Sequence, residues 1–133
     1  MLPPYATARN PMDLIGDADA ARYDRALSIM LKDPNIDVLV VIVLFQTAAL
    51  DSSVINVLVR AAQTKQKPIV VVSTGGEYTE LHRRILDGYG IPTYPTSNSA
   101  MRAISRYLQY AEFRCRFHPD APYCNHGAKK ADA

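Results

Sequence analysis

The chain has 133 residues, enough for one domain or two small ones that fold without a metal or disulfide. Apolar residues make up 48% and charged residues 21%, with 6 Gly and 9 Pro, which excludes a disordered or fibrous chain. A net charge of +2 is too small to argue for nucleic acid or an anionic membrane as partner.

Residues 1–16 hold three prolines and a glycine without a usable period, and read as a lead-in loop. Met1–Tyr5 has no basic region followed by an apolar one, so no signal peptide is expected. From Tyr23 the apolar positions Tyr23, Ala26, Leu27, Met30 and Leu31 mark one face of a helix. Asp17 or Asp19 can cap its start, and Asp33-Pro34-Asn35 stops it.

Val38–Phe45 is the longest unbroken apolar run, too short to span a bilayer. It does not alternate and is mostly β-branched, so it predicts a strand covered on both faces, as in a parallel α/β sheet. Asp51, Ser52 or Ser53 caps a second helix with Val54, Val57, Leu58, Ala61 and Ala62 inward. Pro68–Ser73 is a second buried strand, broken at Thr74-Gly75-Gly76. A third helix from Glu77 to about Leu86 is expected to turn Leu81 and Ile85 inward and to end at Gly88 or Gly90. Ile91–Pro95 is a short final strand, whose prolines suit a strand end or an edge and not a sheet centre. Ser97 or Ser99 caps a fourth helix carrying Ala100, Ala103, Ile104, Tyr107 and Leu108 at helical spacing. The period stops after Tyr110, and 111–133 is expected to be a mobile tail. Alternation of helices and strands predicts an α/β domain over 17–110 with a parallel sheet of three strands.

Thr74, Gly75 and Gly76 lie where a strand meets a helix N-terminus, which suits an anion such as a phosphate. Two adjacent glycines match no phosphate-loop motif, however, and Glu77 would repel an anion, so a plain tight turn is the preferred reading. Cys115, His118, Cys124 and His126 are possible zinc ligands, but their spacing is not a usual zinc pattern. A tail with an optional disulfide is preferred and no metal site is expected. His82, in Leu81-His82-Arg83-Arg84, reads as part of a solvated helix face. Asp13, Asp17, Asp19 and Asp24 lack calcium-loop spacing and read as acids favouring a helix dipole. No catalytic set emerges, and the two cysteines are too few for a secreted disulfide scaffold, so the chain reads as cytoplasmic.

Asn10-Pro11-Met12-Asp13-Leu14, Gly16-Asp17-Ala18, Ala26-Leu27 and Asp33–Asp37 precede the apolar strand. Lys67–Val72 precedes Gly75-Gly76, and Gly90–Pro95 precedes Met101-Arg102-Ala103-Ile104. This succession, over about residues 9–110, resembles the C-terminal ligase-CoA domain of NDP-forming acyl-CoA synthetases and of the succinyl-CoA synthetase β-subunit. The resemblance implies a flavodoxin-like three-layer fold, here partial, without the family domain's first strand and helix. It also implies a role in making acyl-CoA, ADP and phosphate from an acid, ATP and CoA, through an acyl phosphate and a phosphohistidine. The family's phosphohistidine, CoA-binding and ATP-grasp segments have no counterpart among these residues. The expected role is therefore a non-catalytic module, fragment or small subunit, with no cofactor of its own. The other reading is a free-standing domain that binds a small anion or a partner chain. Without a neighbouring first strand, Val38–Phe45 becomes a sheet edge. Val38, Val40, Ile42 and Leu44 are the interface candidates, for a homo-oligomer or a partner synthetase subunit.

Overall fold

The computed structural model describes residues 3–119 and Cys124. The elements run α1 (Ala20–Met30), β1 (Leu39–Ile42), α2 (Ser53–Gln63), β2 (Ile69–Val72), α3 (Glu77–Gly88), β3 (Thr93–Tyr94) and α4 (Ser97–Phe117). Two compact units result, Met1–Ser97 with the sheet and Asn98–Ala133 with nearly all of α4. None of the described helices is long and apolar enough to cross a membrane.

In the first unit all three strands are parallel, in the order β1-β2-β3. Leu39 pairs with Ile69 and Ile42 with Val72, and Val71 pairs with Thr93. This is the α/β arrangement expected, a partial flavodoxin-like sheet. The strands are shorter than the apolar runs that announced them. β1 keeps four of the eight residues Val38–Phe45, although the Val43 amide still donates to the Val72 carbonyl at 2.9 Å.

One face of this sheet carries the core. Leu39, Val41, Val43 and Phe45 from the β1 segment and Ile69 and Val71 from β2 meet Leu27 and Leu31, then Val54, Ile55, Val57 and Leu58 of α2, and Leu86 of α3. α1 packs along α2, so the first helix shares this side with the second. The expectation that Val38–Phe45 is covered on both faces is therefore corrected. Burial alternates along β1, with Val40 and Ile42 exposed between buried Leu39 and Val41. Composition fails here because an open sheet face can be as apolar as a closed one.

Local chemistry fixes the helix ends. The Asp19 carboxylate accepts the Arg22 amide at 2.8 Å and caps α1, which decides between the two aspartates considered. The Asp51 carboxylate accepts the Ser53 amide at 2.9 Å and the Ser53 hydroxyl just before α2. These bonds hold the Asp51 carboxyl below its usual range. α3 ends in a Schellman turn: Gly90 sits at φ 77°, its amide reaches the Asp87 carbonyl, and the Ile91 amide reaches that of Leu86. A side chain at that φ is strained, which is why glycine stands there.

α3 corrects a second expectation. Thr79, His82 and Leu86 face inward, whereas Leu81 is 56% and Ile85 39% exposed. The lead-in segment forms its own bridge between Thr7 and Asp13, and its described residues add no strand beside β1. The Tyr23 hydroxyl donates to the Ile42 carbonyl at 3.2 Å, beside that open edge. In the second unit α4 continues past Tyr110 to Phe117, and the rest of the expected tail lies outside the described residues except His118, Pro119 and Cys124.

Candidate functional site

Parallel α/β sheets present their loops at the carboxyl ends of the strands, where ligands commonly bind. Here those ends bring together Phe45-Gln46-Thr47 after β1 and Ser73–Gly76 after β2. Gly76 is the N-cap of α3 in extended conformation and offers no side-chain cap, so its helix start is open to an outside acceptor. Thr74 is committed elsewhere, since its hydroxyl donates to the Pro95 carbonyl at 2.6 Å and ties the β2 loop to the end of β3.

Gly75 has a packing reason. A Cβ built on it would collide with the Gln46 amide and the Thr79 hydroxyl. The glycine lets the two loops and the first turn of α3 close on one another. Thr79 and Ser73 are each 1% exposed, and their hydroxyls have no hydrogen-bond partner. Buried hydroxyls in that state cost free energy unless water or a ligand group reaches them. On the helix start itself, Glu77 and Glu80 are acidic, and Glu80 is held by Arg83 at 2.8 Å and Arg84 at 3.4 Å.

His82 was expected on a solvated face and is instead buried, 5% exposed. Its ring stacks on Phe45 with centroids 4.7 Å apart and lies 4.3 Å from that of Tyr78. Its Nδ1 lies 2.7 Å from the Tyr78 carbonyl oxygen. A carbonyl only accepts, so Nδ1 carries the proton. The ring therefore locks α3 to the end of the β1 segment. Gln46, Ser73, Thr79 and His82 escaped sequence reasoning; the Thr79, His82, Leu86 spacing was the signal available for α3.

Of the interface candidates, Val40 is 39%, Ile42 58% and Leu44 49% exposed, while Val38 is half-buried. They lie on the face away from the core and form an open apolar row. The Cys and His candidates divide otherwise. Cys115 and Cys124 are joined in a disulfide, and His126 lies outside the described residues. No cluster of three or more possible metal ligands occurs among the described residues.

The comparisons agree with this architecture. The family model for the Ligase-CoA domain matches residues 1–114. Acetate–CoA ligase [ADP-forming] I of Archaeoglobus fulgidus is 35% identical over 115 residues, covering 86% of this chain and 16% of that protein. Acetate–CoA ligase [ADP-forming] II subunit alpha of Pyrococcus furiosus is 30% identical over 115 residues, covering 84% of this chain and 25% of that one. Among solved structures, the Ca. Korarchaeum cryptofilum dinucleotide forming acetyl-coenzyme A synthetase 1 in complex with phosphate and ADP superposes with TM-score 0.76. The identity there is 30%, over 91% of this chain and 26% of that one. The chain thus spans a quarter or less of the length of these curated relatives. With its three-stranded parallel sheet and a family match over residues 1–114, the chain belongs to the Ligase-CoA domain family.

Proposed function

We propose that this chain is the ligase-CoA module of an ADP-forming acyl-CoA synthetase, as one segment of it or a small subunit. The whole enzyme would convert an acid, ATP and CoA to acyl-CoA, ADP and phosphate in the cytoplasm. The observation that carries this reading is the 35% identity to an ADP-forming acetate–CoA ligase across 86% of the chain. In this role the module positions and docks, and the reacting groups and cofactors come from other segments.

Two surfaces suit that role. The loop Thr74, Gly75, Gly76 would receive an anionic group at the start of α3, which no side chain caps, with the helix dipole in support. The open row Val40, Ile42, Leu44 would meet a partner synthetase subunit or a second copy. Burying the exposed half of three such side chains contributes about 1 kcal/mol apiece. That alone does not offset an association cost of roughly 4–15 kcal/mol, so backbone pairing along the β1 edge, where the Ile42 carbonyl would exchange the Tyr23 hydroxyl for a strand partner, must add to it.

The test is reconstitution. The purified chain alone, with ATP, CoA and a carboxylic acid, should form no thioester. Added to chains that carry the ATP-grasp and CoA-binding segments, it should restore acid- and CoA-dependent ADP release. Turnover by the chain alone, abolished by one substitution within it, would overturn the proposal.

A further inference from the structure

The Cys115–Cys124 disulfide closes a short loop at the end of α4, with Cα atoms 5.4 Å apart and a sequence separation of 9. Its placement argues against a role in holding the fold together. The buried core cluster runs from Leu27 to Ile91 and includes no residue beyond. The bridge lies in the second compact unit, and both cysteines are part-exposed, so small thiols can reach them.

The partial exposure of both cysteines permits exchange with small thiols. The thiolate is the reactive form, and nearby cations raise its share. Arg114 and Arg116 flank Cys115 in sequence. The α4 C-terminus works the other way on Cys115, since its partial negative charge disfavours a thiolate. The reduced form is accommodated too. The Cys124 sulfur lies 3.4 Å from the His118 carbonyl oxygen, an acceptor for a thiol proton. The His118 amide already donates to the Arg114 carbonyl at 2.9 Å, so this turn has bonds of its own when the bridge opens.

We propose that Cys115 and Cys124 form a reversible redox clasp that a disulfide such as oxidised glutathione closes and its thiol opens. One cysteine thiolate attacks the glutathione disulfide, forms a mixed disulfide and releases one glutathione thiolate. The second cysteine thiolate attacks the sulfur of the first, closes the bridge and releases the other. The cysteines lose two electrons and two protons, and both pairs end on the two glutathione thiols. This inference stands on the second unit alone and is independent of the synthetase reading.

The reduced full chain is equilibrated in buffers of stepped reduced-to-oxidised glutathione, quenched with an alkylating agent and weighed intact. Two alkylated thiols should give way to none in a single step, with the chain still monomeric by mass. After trypsin, cleavage at Arg116 should separate the reduced chain, while the oxidised chain stays linked through the bridge. The Cys115→Ser and Cys124→Ser chains should unfold at the same temperature as the parent. Thiols that alkylate at every ratio would overturn the proposal. So would persistent glutathione adducts, or a bridge that survives excess reduced glutathione. A lowered unfolding temperature in both serine variants would make the bridge a structural staple instead.

Discussion

Gly75→Ala tests whether the β2–α3 junction is packed as tightly as the structure has it. The new methyl would meet the Gln46 amide and the Thr79 hydroxyl at less than contact distance. Gln46 is exposed and its amide can swing away at little cost. Thr79 is 1% exposed and fixed in the first turn of α3, so the helix start itself must shift. Overpacking of this kind costs about 1–3 kcal/mol. Loss of backbone freedom in the unfolded chain offsets roughly 0.4–1 kcal/mol, because Gly75 does not need a positive φ. The expected net loss is about 1–2 kcal/mol. Urea unfolding of four chains reads it: parent, Gly75→Ala, Thr79→Ala and the double variant. Thr79→Ala alone should be neutral or stabilising, since it deletes a buried hydroxyl without a partner. In that background Gly75→Ala should cost clearly less, a coupling between contacting sites. Equal loss in both backgrounds, or no loss in either, would refute a packing role for Gly75.

Gly90→Ala should destabilise by about 1 kcal/mol, because the Schellman turn holds φ at 77°, and an unchanged urea midpoint would contradict that geometry. Asp19→Ala should cost about 1 kcal/mol through the lost α1 cap, whereas Asp19→Asn should cost little. Ile42→Lys should leave the unfolding temperature nearly unchanged and abolish any association seen by sedimentation, and a large fall in stability would show that this face is already covered. Burial, with the Asp13 carboxylate adding to it, pushes the Tyr23 phenol above its ordinary value. Folding therefore favours the protonated phenol. That contribution is full below the unfolded value of about 10 and is lost as pH rises through the folded one. Tyr23→Phe should flatten the alkaline decline in stability, and an undiminished decline would show that another group causes it.

The parts of the fold that were legible are those where one local rule acts alone. Asp19 caps, Asp33-Pro34 stops, and the Val54, Val57, Leu58 face packs as its spacing requires. The misses have a common cause. In β1 every side chain is apolar, so nothing local distinguishes Val41 on the core side from Ile42 on the open side. Which face closes depends on where α1 and α2 sit, a property of the whole sheet. In α3 two faces compete: Leu81 and Ile85 carry the larger hydrophobic surface, but Thr79, His82 and Leu86 win. They win because Gly75 leaves the space that Gln46 and Thr79 both border and because His82 finds Phe45 to stack on. Both approaches run from the loop after β2 and from α3 to the end of the β1 segment, Gly75 to Gln46 and His82 to Phe45, far apart in sequence. The candidate site consists of those same crossings. Its glycines could be picked out from sequence as a break between strand and helix, but the residues that shape it are set by a neighbour no local pattern contains. A substitution at Phe45 should therefore disturb the start of α3 more than one at Leu81, although Leu81 lies within that helix.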